Sequence, residues 1–156
     1  MQKDVRTRTA EQIYNRILKK VIQPILGDGT TYSTDLLKVC RRFLGVKFKG
    51  VFPSDKIPKL NDLSPYAILN LDNSNQSGSH WIAVAKIPNH NSIMCYDSFG
   101  RRNIKIIPSL QYSGNGRIID TDRDSEQKIT QLNCGERSIS FLILFDKFGA
   151  DLAKLI

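Results

Sequence analysis

His80-Trp81-Ile82-Ala83-Val84-Ala85-Lys86-Ile87, Pro88-Asn89-His90-Asn91 and Ser92-Ile93-Met94-Cys95-Tyr96-Asp97 run consecutively, and this stretch decides the fold. Two apolar segments of strand length flank a Pro-Asn turn, which predicts an antiparallel hairpin. Both segments read as apolar strands. Upstream, Tyr66-Ala67-Ile68-Leu69-Asn70-Leu71 reads as another buried strand, separated from the hairpin by a polar loop from Asp72 to Ser79. Further back, Phe48-Lys49-Gly50-Val51-Phe52 is a short extended piece that Pro53 and Pro58 turn away. Downstream, Ser98 to Arg102 leaves the sheet. Asn103 to Leu110 reads as a short helix or a strand broken by Pro108, and Arg117-Ile118-Ile119-Asp120 as a further strand.

Helices lie at both ends. Thr9 is placed to cap a helix from about Ala10, with Ile13, Ile17 and Val21 at helical spacing and Pro24 and Gly27 ending it. Ser33 or Thr34 is placed to cap a second, whose apolar side is Leu36, Leu37, Cys40, Phe43 and Leu44, with Gly45 as its stop. Ile139 to Leu152 is an apolar, helix-capable run. The expectation is an α+β fold, with a central mixed or antiparallel sheet flanked by helices. It forms a single domain over 1–156, helical over 1–45 and sheet-forming over 46–156, closed by the last helix.

At 156 residues the chain suits one domain with a sizeable core. Its three cysteines, an odd number without a Cys-x-x-Cys pair, argue against a disulfide framework and against structural zinc, so no metal is expected. No apolar run is long enough to span a bilayer, and Met1-Gln2-Lys3-Asp4-Val5-Arg6 lacks a signal-peptide core. The expectation is a soluble, non-secreted protein without membrane contact. The net charge of +8 suggests an anionic partner such as nucleic acid. Arg6, Arg8, Lys19, Lys20, Lys38, Arg41, Arg42, Lys47 and Lys49 concentrate that charge in the first third.

Cys134-Gly135 follows a polar loop and directly precedes the closing apolar run. A cysteine at a helix N-terminus meets unpaired N–H groups and the positive end of the dipole, which favour thiolate over thiol. A cysteine nucleophile usually needs a base. His90 lies in a polar turn, whereas His80 opens an apolar strand. If the hairpin pairs as expected, Asp97 at the end of the second strand falls beside His80, where it would orient the imidazole. The Cys134 backbone N–H plus a side-chain amide, from Gln127 or Gln131, would serve as an oxyanion hole. Taken singly, each of these residues is more often structural. Together, each sits at an element end suited to its role.

Gly78-Ser79-His80-Trp81, then Tyr96-Asp97-Ser98-Phe99-Gly100, then Gln127 and Cys134-Gly135 resemble the adenovirus-type cysteine proteases, which are related to the SUMO-deconjugating proteases. The likeness extends over roughly Phe43 to Phe148. It implies a papain-like site in permuted chain order. His80 would be the general base, Asp97 the orienting acid, Gln127 the oxyanion donor and Cys134 the nucleophile, with Gly78, Ser79 and Trp81 beside the substrate. It also implies a cysteine endopeptidase that cuts viral capsid or core precursor proteins at Gly-containing sites, in the virion or the infected cell. No cofactor is required for that chemistry. Stimulation by DNA or a peptide, known in the family, stays open. The sequence departs from the family in three ways. The acid is Asp where adenovirus enzymes have Glu. The segment from Asp97 to Gln127 is shorter. Cys95 does not match the cysteine that binds their activating peptide. Two rival expectations are a protease that removes SUMO- or ubiquitin-like tails and a basic, non-catalytic, nucleic-acid-binding capsid protein.

Overall fold

The structure is a computed structural model that describes residues 4–27, 29, 31–72, 75, 80–122 and 133–156. Helix α1 (Val5–Arg16) starts earlier than expected because Asp4, not Thr9, caps it: the Asp4 carboxylate accepts from the Thr7 backbone N–H at 2.7 Å. Thr9 lies inside the helix, its hydroxyl donating to the Val5 carbonyl. The helix continues through a π-helical stretch (Ile17–Ile22) into α2 (Gln23–Leu26). Pro24 does not stop it. Proline is tolerated at the first positions of a new helical segment, and Gly27, at φ 81°, provides the stop. Helix α3 (Ser33–Leu44) has Tyr32 at its N-cap, so neither Ser33 nor Thr34 caps it.

The strands are β1 (Phe48–Pro53), β2 (Tyr66–Asn70), β3 (Trp81–Lys86), β4 (Ser92–Tyr96) and β5 (Arg117–Asp120). Between β4 and β5 lie α4 (Asn103–Ile106) and a 3₁₀ segment (Pro108–Tyr112). The 103–110 segment is therefore helical, and Pro108 opens the second piece instead of merely breaking the first. Helix α5 (Cys134–Phe148) and α6 (Ala150–Ala153) close the chain. Helix α5 begins at Cys134 itself, five residues before the apolar run.

The five strands form one mixed sheet in the order β1-β2-β3-β4-β5. The two outer pairs are parallel, and β2, β3 and β4 are antiparallel neighbours. The expected hairpin is β3–β4, paired from Ala83 with Tyr96 to Lys86 with Ile93. Its turn includes Asn89 at φ 61°, a conformation Asn adopts more readily than most residues.

Side chains alternate across the sheet. On one face Tyr66, Ile68, Trp81, Ala83, Ala85, Met94 and Tyr96 pack under the helical layer of α1, α3 and α5. On the other, Ala67, Leu69, Ile82, Val84, Ile93 and Cys95 meet Leu60, Ile107 and Leu110. Both faces of the central strands are covered, as their unbroken apolar composition requires. Helix α5 is the centre of the helical layer and is buried from Cys134 to Phe145. Its Phe141 stacks flat on Tyr96 of β4, centroids 4.7 Å apart. The serines within it are satisfied: Ser140 Oγ donates to the Glu136 carbonyl and Ser138 Oγ to the Trp81 carbonyl. Among the described residues no helix is long and apolar enough to cross a membrane.

Candidate active site

The last bond matters most for the site, because it ties α5 to the head of β3. Ser138 takes the Trp81 carbonyl at 3.2 Å, and one helical turn earlier the Cys134 Sγ accepts from the Trp81 N–H at 3.5 Å. The backbone of one residue is thus held at both ends by two side chains of α5. His80, the residue before it, is carried to the mouth of the helix. The Trp81 indole points the other way, its Nε1–H donating to the Thr31 carbonyl at 3.1 Å. Thr31 Oγ1 in turn donates to the buried Glu136 carboxyl. The loop before α3 is therefore fastened to both elements of the site.

Gly135 is needed for this closeness. A Cβ there would meet Leu36 Cδ2 at 2.9 Å, Thr31 Cβ at 3.3 Å and Trp81 Cδ1 at 3.4 Å. Asn133, which precedes the cysteine, is buried, and its Oδ1 accepts from Arg137 Nε at 3.1 Å. The Arg137 guanidinium also reaches the Tyr14 hydroxyl, and Tyr14 bonds the Tyr96 hydroxyl at 2.6 Å. These contacts join α1, β4 and the start of α5 beneath the cysteine.

His80 Nε2 donates to Asp97 Oδ1 at 2.6 Å. The hairpin register brings this about. With Ala83 opposite Tyr96, Asp97 falls opposite Ile82, diagonal to His80 at the head of β3, within reach of its ring. The Cys134 side chain is the other group that acts on the same imidazole. Both His80 and Asp97 are buried. Burial opposes a charge on His80, but the hydrogen bonds and charges of Asp97 and Cys134 outweigh it, and the imidazole titrates above its ordinary value. Burial likewise opposes ionisation of Asp97, yet its hydrogen bonds to His80 and Arg101 prevail and hold it down at about 2. The carboxylate is therefore charged at neutral pH.

The turn after β4 supplies two more contacts. Gly100, at φ 69°, closes it, its N–H donating to the Asp97 carbonyl at 2.8 Å. Phe99 folds back to stack on His80, centroids 5.0 Å apart and planes 27° apart. Arg101 Nε donates to Asp97 Oδ2 at 2.8 Å, as does its backbone N–H at 3.1 Å. The sequence reading passes over Arg101. The only available signal was its spacing, Asp97-x-Phe99-x-Arg101, which means little until the turn is closed.

The structure thus brings His80, Asp97, Cys134 and Trp81 together. Gln127, Gln131, Gly78 and Ser79 lie outside the described residues. His90 stands exposed in the hairpin turn, away from this cluster. Cys40 and Cys95 are buried, and burial pushes both thiols well up. Among the described residues no group of three His, Cys, Asp or Glu side chains is arranged as metal ligands. No protein-family model matches the chain, and no curated protein does.

Proposed function

We propose that the protein is a cysteine endopeptidase of the adenovirus-protease type. The observation that carries this reading is one buried imidazole, bonded to a charged carboxylate and one residue from the backbone that the Cys134 sulfur meets at the N-terminus of α5. The resemblance of its motifs to that family supports it, as does the chain order of histidine, acid and cysteine.

In this reading Cys134 gives its proton to His80, and Asp97 stabilises the resulting imidazolium. The thiolate attacks the scissile carbonyl. The oxyanion that forms faces the first N–H groups of α5, the Cys134 N–H among them, aided by the amide of Gln127. His80 returns the proton to the leaving amine and the C–N bond breaks, leaving a thioester. A water, deprotonated by His80, then releases the acid and restores the thiol. Gly135, packed against Leu36, Thr31 and Trp81, keeps the backbone beside the sulfur bare. On the family resemblance, the cleavage sites contain glycine and the substrates are capsid or core precursor proteins of a virion.

The test is labelling with a glycine-rich peptide vinyl sulfone, followed by mapping of the modified residue. Label on Cys134 is expected, abolished by His80→Ala. Label on Cys40 or Cys95, or label on Cys134 that survives His80→Ala undiminished, overturns the reading.

A further inference from the structure

Asp97 is held from two sides. Its Oδ1 accepts from His80 at 2.6 Å and, more weakly, from Arg101 Nη2 at 3.4 Å. Its Oδ2 accepts from Arg101 twice, through Nε and the backbone N–H. The guanidinium also lies over the Phe99 ring, 5.0 Å from the centroid, and Phe99 lies over His80. Asp97, His80, Phe99 and Arg101 close a ring in which each side chain touches two others. A guanidinium suits this place because its fork and its flat face are used at once.

We infer that Arg101 is a positioning residue that sets the upper pH limit over which His80 stays protonated. This rests on the protease reading of the same site. The cation draws on the carboxylate charge that would otherwise serve the imidazole alone, and it stands one oxygen away from that imidazole with the same sign of charge. Both effects work against protonated His80. Asp97 and Cys134 work for it. The two charged residues of the first turn of α5 are engaged elsewhere, Glu136 with Thr31 and Arg137 with Asn133 and Tyr14. Arg101 is thus the counterweight to Asp97. It keeps the acid anchored and keeps His80 from holding its proton so firmly that the leaving group cannot receive it.

The experiment is an NMR titration of the two imidazoles in the wild-type chain, Arg101→Gln and Arg101→Lys, with exposed His90 as internal reference. The Arg101 side chain is 43% exposed, so solvent screens its charge and the expected shift is modest. In Arg101→Gln the His80 midpoint rises by about half a unit to one unit. The alkaline fall in Cys134 alkylation by iodoacetate, whose carboxylate is drawn by protonated His80, moves up with it. Arg101→Lys, which keeps the cation, returns the midpoint most of the way. An unchanged or lowered His80 midpoint in Arg101→Gln, with His90 steady, overturns the inference. Failure of the protease reading has a different signature: wild-type Cys134 reacting no faster with iodoacetamide than in His80→Ala, whatever His80 does.

Discussion

Replacing Asp97 by Asn is the sharpest probe of the site, because it removes one charge and almost no volume. The carboxylate oxygen lies 2.6 Å from His80 Nε2, and the Asp97 side chain is 1% exposed, so water screens the pair poorly. With the charge centres about 4 Å apart and an effective dielectric of about 20, the attraction is about 4 kcal/mol. That bounds the effect on the imidazole at about 3 units. The amide oxygen still accepts a hydrogen bond from His80, and the influence of Cys134 stays, so the expected fall is about 1 to 3 units. Arg101 then faces a neutral amide and pushes in the same direction. The sign follows from the wild-type protein, in which Asp97 and Cys134 raise His80 above its ordinary value. Without the carboxylate, burial dominates and the midpoint drops below that value. The assay is the titration of the His80 ring protons, read against His90 in the same sample. Iodoacetamide alkylation of Cys134 at pH 6 should slow at least about tenfold, because fewer sulfurs have a protonated imidazole beside them. A His80 midpoint within about 0.3 units of wild type, in a folded Asp97→Asn protein, refutes the coupling.

Two further outcomes follow from the packing and charge of the same region. Gly135→Ala should destabilise the protein by about 1–3 kcal/mol in urea unfolding, since the new methyl lies 2.9 Å from Leu36 Cδ2. It should also slow Cys134 alkylation by displacing the start of α5, and wild-type stability and reactivity together would rule out the tight contact. Asp97, depressed from 3.8 to about 2, contributes stability that is present above pH 4 and lost as pH falls toward 2. The stability gap between wild type and Asp97→Asn should therefore narrow by about 2 kcal/mol over that window, measured by denaturant unfolding at successive pH values. A gap that stays constant would mean that the charge of Asp97 adds nothing to folding.

Much of this protein is legible from local pattern. The β3–β4 hairpin follows from two apolar runs and a Pro-Asn turn, and its register puts Asp97 at the strand end that carries His80. The covered state of both sheet faces follows from the lack of polar alternation in β2, β3 and β4. Helix boundaries were less legible where a side chain chooses between cap and interior. Asp4 took the role expected of Thr9, and α5 reached back to Cys134 through polar residues whose hydroxyls found carbonyls. Periodicity cannot register such residues, because their fit depends on partners far away in the chain.

The residue types of the site, and the two strand ends and the helix end that carry them, were set by sequence alone, because period and turn chemistry act over a few residues. The fold decided the rest. It put the sulfur against Trp81 and His80 through Ser138, 57 positions from its partner, and required a bare glycine beneath it. It also curled Arg101 back onto Asp97 through a turn that Gly100 closes at φ 69°, where glycine is favoured. Such contacts are made when distant segments are pressed together, and no window of neighbouring residues contains them.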